Sequence, residues 1–173
     1  LVIDTDTLQP KENNYLMALA NGVSGRFGVA LLDITTGEFR VTEVGSLEGV
    51  RSELASLQPR EVLLVEDAEG EALRRSLALV LAERMVNTVP DWAVEADRAS
   101  SLIREFFQSA SLEPFGCAKL PGAIRAAGAI LHCLGETQRG SLGHIRVLAT
   151  YHVQDFMVLD DATRRNLELT ATI

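Results

Sequence analysis

The hydrophobic and polar positions at the front of the chain predict strands joined by short turns. Apolar runs at 14–20 and 27–34 are followed by 39–44, where apolar and polar residues alternate with the period of a half-buried strand. An Asn-Gly pair at 21–22 separates the first two runs and is a strong hairpin signal, and the turn is also compatible with a loop that runs on to Gly25. Three strands joined by short turns predict an antiparallel meander.

Helical spacing then alternates with short apolar runs. Ser46 is a suitable N-cap, and the apolar positions after it recur at helical intervals until Pro59. Beyond this helix we predict two strands and two helices, at 61–66 and 85–89 and at 69–84 and 97–108 respectively. Strands separated by helical crossovers favour parallel pairing. The predicted fold is therefore α/β, with a mixed five-stranded sheet and flanking helices in the ribonuclease-H-like arrangement.

A domain boundary is predicted near the segment 114–121, which begins and ends with proline. The residues from 123 to 138 are small and apolar, as in a helix that packs closely against its neighbours, and its glycines lower helix propensity, so tight packing must compensate. We predict two domains, residues 1–117 and residues 118–173, the second mainly helical. Because the chain begins at Leu1 and ends inside a predicted helix, we expect a piece excised from a longer protein.

Charge and cysteine content narrow the classes of function. The formal net charge is -8, with 24 acidic and 16 basic residues, whereas an isolated DNA-binding module usually carries a basic face. This balance favours a protein partner over nucleic acid. Two cysteines do not make a disulfide framework, so we expect a reducing, cytoplasmic setting. No apolar run approaches the ~20 residues of a membrane-spanning helix.

Six segments of the chain carry a resemblance to one known family. The longest is DFMVLDDATRRNLEL at 155–169, and together with AAGA at 126–129, ETQRG at 136–140 and YH at 151–152 it resembles the start of the core domain of MutS, a family of DNA mismatch repair proteins. At the front, NNYL at 13–16 and LDITTGEF at 32–39 resemble the MutS connector domain, which is also domain II. The resemblance therefore covers nearly the whole chain.

This resemblance implies a role in DNA mismatch repair. It implies that residues 1–117 are the ribonuclease-H-like connector domain and that residues 118–173 begin the core, or lever, domain. Full-length proteins of the family bind mismatched DNA together with a second MutS subunit and use ATP and magnesium. The connector links the mismatch-binding and ATPase parts and contributes to docking MutL. The phosphate-binding motif Gly-x-x-x-x-Gly-Lys-Ser/Thr is absent from this sequence, so we expect no cofactor and no enzymatic activity in this chain.

A metal-dependent nuclease is the alternative function. Asp33 lies late in a predicted buried strand, and in nucleases of this fold strand carboxylates hold two metal ions, with Glu38 and Glu66 as conceivable companions here. The competing interpretation is that Asp33 opens the following turn by bonding its own backbone, and that Glu66 simply ends a strand. The cysteines and histidines lack the usual spacing of metal ligands; they are Cys117, His132, Cys133, His144 and His152.

The helix after Trp92 is the predicted partner-binding surface. Its outward positions are polar or charged, a composition suited to a transient interface, and the competing interpretation is ordinary solvent exposure. The predicted interface residues are Arg98, Ser101, Arg104, Glu105 and Gln108. Four arginines make the tail locally basic, and either DNA phosphates or nearby carboxylates are their expected partners; they are Arg139, Arg146, Arg164 and Arg165.

Overall fold

A single mixed sheet lies at the centre of the computed structural model, which describes residues 14–137 and 142–153. Within these residues the sheet has six strands in the order β5-β4-β1-β2-β3-β6. The strands are β1 (Tyr15–Asn21), β2 (Phe27–Asp33), β3 (Phe39–Val44), β4 (Glu61–Glu66), β5 (Met85–Pro90) and β6 (Leu148–Thr150).

Helices cover both faces of this sheet. They are α1 (Leu47–Leu57), α2 (Ala68–Ser76), α3 (Ala78–Leu81), α4 (Ala96–Phe107) and α5 (Pro121–Thr137). Two 3-10 turns, Asp91–Val94 and Glu113–Phe115, precede α4 and α5 respectively. Helices, strands and their order thus agree closely with the elements predicted from the hydrophobic pattern.

The strand pairing follows the predicted division of the chain. The first three strands pair antiparallel, while β4 pairs parallel with β1 and β5 pairs parallel with β4. The sixth strand, β6, was not predicted, because three residues are too few to show a period. It pairs parallel with β3 and extends the sheet at the edge opposite β5.

The strands of the sheet contribute to two separate hydrophobic cores, because successive side chains point to opposite faces of a sheet. Leu16, Ala18 and Ala20 of β1 pack in the core shared with α4 and α5, which we call the α4–α5 face. Met17 and Leu19 pack in the core shared with α1, α2 and α3, which we call the α1–α3 face. The fold is therefore a three-layered sandwich of helices, sheet and helices.

Local signals in the sequence correctly placed the first two turns and the N-cap of α1. The hairpin loop after β1 runs past the Asn-Gly pair to Arg26, and the backbone reaches positive φ at Ser24 and Gly25 (58° and 74°). Gly37 closes the next turn with a φ of 82°. Ser46 caps α1 as predicted, since its hydroxyl accepts a hydrogen bond of 3.1 Å from the Gly49 amide.

The predicted single helix at 69–84 is wrong, because Leu77 divides it into α2 and α3. Leu77 has φ and ψ of -107° and 16°, which lie outside the helical region. Its N–H still bonds to Leu73 O, and its C=O still accepts from Leu81 N, both at 2.9 Å. The break therefore keeps three leucines, four residues apart, buried against the sheet.

Helix α5 packs against the sheet, although its residues belong to the predicted second domain, 118–173. Ala123, Ala126, Ala127 and Ile130 are fully buried in the α4–α5 face, beside side chains of the first two strands. A helix of small residues thus completes the core of the sheet, and the division into residues 1–117 and 118–173 stays a prediction. Residues 155–169, which carry the strongest resemblance to the core domain, lie outside the described residues, so that assignment stays a prediction.

The N-terminus of α5 is fixed to the sheet by two glycines and a buried carboxylate. Gly28 of β2 contacts Gly122 so closely that a Cβ built on Gly28 would collide with the Gly122 carbonyl group. Glu43 of β3, whose side chain is 4% exposed, accepts a hydrogen bond of 2.6 Å from the Gly122 amide. Its other oxygen accepts one of 3.0 Å from Arg26 Nε. A carboxylate at this end of a helix also opposes the positive pole of the helix dipole.

We expect Gly28→Ala to destabilise the domain by about 3 kcal/mol or more, because backbone, and no flexible side chain, blocks the added methyl group. Gly135→Ala in α5, the helix that packs against Gly28, is the matched control. Its Cβ would meet nothing within 4 Å. It should stabilise by roughly 0.5–1 kcal/mol through helix propensity. Urea unfolding followed by circular dichroism measures both, and a Gly28→Ala protein as stable as the wild type would contradict this packing.

Candidate partner interface

Trp92 stands out on the surface at the β5 edge of the sheet. Pro90 ends β5, and the 3-10 turn Asp91–Val94 follows it directly. Ala93 and Val94 of this turn are fully buried, whereas Trp92 is 51% exposed. The two buried neighbours hold the turn in place, so the large aromatic ring is presented to solvent from a rigid base.

The Trp92 ring is held on two sides by polar neighbours. The Arg98 guanidinium carbon lies 5.1 Å from the ring centroid, a cation–π contact from the first turns of α4. The His132 ring of α5 meets it edge-on, with centroids 5.4 Å apart and planes at 85°. A side chain ordered in this way loses little conformational freedom when a partner covers it. We call Trp92, Arg98 and His132 the Trp92 cluster.

Of the five predicted interface residues on α4, only Arg98 belongs to the Trp92 cluster. Arg98, Glu105 and Gln108 are exposed, while Ser101 and Arg104 are half-buried and joined by a hydrogen bond of 3.2 Å. Gln108 is the C-cap of α4, with a φ of 53°. These three exposed residues lie on one face of the helix, because residues three or seven positions apart point in similar directions. Whether they contact a partner stays a prediction.

The sequence analysis predicted an interface on α4 but did not include Trp92 or His132, whose rings pack together beside the start of this helix. Trp92 is the only tryptophan in the chain and follows a Pro-Asp pair, which was a usable signal for a presented side chain. His132 lies forty residues away in the sequence, and no local pattern relates the two. Exposed acidic residues lie within four positions of Trp92, Arg98 or His132 in the sequence: Asp91, Glu95, Asp97 and Glu136.

Asp33 serves the turn that follows it. Its Oδ1 accepts hydrogen bonds from the amides of Thr35 (2.9 Å) and Thr36 (3.2 Å). Its backbone pairs with Tyr15, at the start of β1, whereas Glu66 ends β4, which runs parallel to β1. Asp33 and Glu66 therefore lie at opposite ends of the sheet and cannot share a metal ion.

The remaining candidate metal ligands are also dispersed. Glu38 pairs with Arg40 at 3.3 Å, and His144 Nε2 lies 2.7 Å from the Ile34 carbonyl oxygen. Burial raises the pKa of the Cys117 thiol to about 11, which disfavours the thiolate that a metal requires. Within residues 14–137 and 142–153 no three His, Cys, Asp or Glu side chains are grouped so as to hold a metal ion.

Strand order and layering place the chain in the ribonuclease-H-like class of α/β domains. A family model described as MutS domain II matches residues 14–146, and the chain therefore belongs to the MutS family. It is 40% identical to the DNA mismatch repair protein MutS of Halothermothrix orenii over 99% of its length. The identity is 35% to MutS of Desulfosudis oleivorans and 37% to MutS of Synechococcus elongatus, over 100% and 99% of this chain.

The chain spans about a fifth of the length of these relatives, 19% to 20%. Among the described residues, no helix has both the length and the apolar character needed to cross a membrane.

We expect magnesium or manganese to raise the melting temperature no more than sodium chloride of equal ionic strength, since the carboxylates do not converge. Asp33→Ala should cost about 1 kcal/mol through the lost turn hydrogen bonds, and Asp33→Asn, which keeps an acceptor oxygen, should cost less. Thermal unfolding with and without metal measures both effects. A stabilisation specific to manganese that disappears in Asp33→Asn would restore the nuclease interpretation.

Proposed function

We propose that this chain is a non-catalytic connector of a DNA mismatch recognition protein, linking its mismatch-binding and ATPase parts and docking MutL. The observation that carries this proposal is the match of MutS domain II to residues 14–146, which contain five of the six strands and all the buried core residues except Leu148. In the whole protein the further partners are mismatched DNA and a second MutS subunit, and ATP and magnesium are bound elsewhere. The expected location is the cytoplasm.

The packing supports a linking role. A domain that transmits movement between two parts of a protein must resist deformation, and close-packed interiors do so. Here one sheet is covered on both faces, and α5 is fixed to it by backbone contact at Gly28 and Gly122 and by the buried Glu43 carboxylate. These features favour a body that moves as a unit.

The surface supports a docking role at the Trp92 cluster. Tryptophan and arginine are the residues that most often dominate binding energy at protein interfaces. Arg98 already lies over the Trp92 ring, so the pair is ordered before binding. The net charge of -8 argues against DNA as the partner of this domain's surface in general and favours a protein.

We expect Trp92→Ala to weaken binding of the 173-residue chain to purified MutL by about 30-fold, and Arg98→Ala by about 3- to 10-fold. Leu79→Ala is the matched control, because Leu79 is 93% exposed and belongs to α3 on the other side of the sheet. Titration calorimetry measures all three variants together with the charge reversals Arg104→Glu and Glu105→Arg.

If Trp92→Ala and Arg98→Ala bind MutL as the wild type does but the charge reversals bind more weakly, the interface lies further along α4. Binding unchanged in every variant would move it off this helix. A folded chain that does not bind MutL at all would contradict docking by this domain on its own.

A further inference from the structure

The segment 142–151, which we call the strap, crosses the β3 edge of the sheet. It begins on the α4–α5 face, where Ile145 and Leu148 are 5% and 1% exposed in the hydrophobic core. There His144 Nε2 lies 2.7 Å from the Ile34 carbonyl oxygen. Leu148 then pairs with Phe39 as the first residue of β6. The strap is thus packed into the interior at its start.

Backbone and side-chain hydrogen bonds hold the end of the strap. The Thr150 hydroxyl donates to the Phe115 carbonyl oxygen at 2.7 Å. The Tyr151 amide donates to the Val41 carbonyl oxygen at 2.9 Å, which continues the pairing with β3 one residue beyond β6. The strand that these backbone bonds extend, β6, has only three residues, which is short for an edge strand.

A polar cluster beneath Tyr151 adds a contact with the opposite helical layer. The Tyr151 hydroxyl donates to Glu53 Oε1 at 2.7 Å, across 98 residues of sequence. Glu53 belongs to α1 and is 5% exposed. The Arg40 guanidinium carbon lies 5.2 Å from the centroid of the Tyr151 ring. The strap therefore contacts the α4–α5 face through Leu148 and the α1–α3 layer through Tyr151.

The Tyr151 hydroxyl is the hydrogen-bond donor that the buried Glu53 carboxylate needs. Burial raises the pKa of Glu53, and burial together with the Glu53 charge raises the pKa of Tyr151, so the hydroxyl stays protonated and acts as the donor. A buried carboxylate is unfavourable without partners. For Glu53 these partners are the Tyr151 hydroxyl and the positive charge of Arg40, which also lies 3.3 Å from Glu38.

We propose that Tyr151, Glu53 and Arg40 form a clasp that holds the strap to both helical layers and makes the end of the strap move as one body with the sheet. The mechanical part of this proposal rests on the proposed linking function. The clasp lies at the β6 edge of the sheet, whereas the Trp92 cluster lies beyond β5, at the other edge. Opening the clasp would release the strap while the rest of the sheet stays folded.

Amide hydrogen exchange of the 173-residue chain tests the clasp. In Tyr151→Phe we expect the amide at position 151 to exchange at least about tenfold faster than in the wild type, because the lost hydrogen bond has a charged acceptor. Amides in the middle of β1, such as Leu19, should keep their wild-type rates. Tyr15→Phe is the matched control, since among the described residues the Tyr15 hydroxyl has no hydrogen-bond partner.

Nitrogen-15 relaxation of the same samples tests the mechanical consequence. The order parameters of the His152 and Val153 amides should fall in Tyr151→Phe and stay unchanged in Tyr15→Phe. Unchanged exchange at position 151 would overturn the clasp, as would equal acceleration in β1, which would show general destabilisation. Faster exchange with unchanged order parameters would overturn the mechanical role. None of these measurements involves MutL, so their failure is distinguishable from failure of the proposed docking.

Discussion

The close approach of α5 to β2 is the constraint on which the rest of the structure depends. Gly28 and Gly122 meet backbone to backbone, and the Glu43 carboxylate accepts the Gly122 amide hydrogen where the helix begins. A larger residue at either glycine would move the helix off the sheet. The rest of α5 then follows with alanines, whose small side chains let the helix lie low over the first two strands.

The position of α5 in turn determines the position of the candidate interface. Arg125 donates to the Asn21 carbonyl oxygen at 2.6 Å and to that of Val94 at 3.3 Å, which joins the β1 hairpin to the turn that carries Trp92. One turn further, Gly128 packs against Ala99 of α4, where an added Cβ would approach the Ala99 Cβ to 2.6 Å. The helix that completes the core thus also positions the two elements that present the Trp92 cluster.

The two proposed functions occupy opposite edges of one sheet. The Trp92 cluster follows β5, and the clasp of Tyr151, Glu53 and Arg40 lies beside β6. Between them lie four strands with helices packed on both faces, an arrangement with few ways to deform. A partner bound at one edge and the strap held at the other would therefore be connected through a single rigid body. The proposed linking role requires such a connection.

The sequence by itself determined most of the elements and the family, because these depend on signals between near neighbours. Alternation along β3, helical spacing after Ser46 and the turn residues around Asp33 and Gly37 predicted local structure correctly. The DFMVLDDATRRNLEL segment and its companions indicated MutS without any structure. Propensity, capping and turn chemistry act within a few residues, so a linear reading captures them.

Only the tertiary structure decided where distant residues meet. It placed α5 inside the first core, added β6 to the sheet, divided the predicted helix at Leu77 and brought Tyr151 to Glu53 across 98 residues. It also separated Asp33 from Glu66 and left Trp92 half-exposed beside His132. These outcomes depend on packing and on partners for buried charges, which are properties of the assembled fold and have no period or motif along the chain.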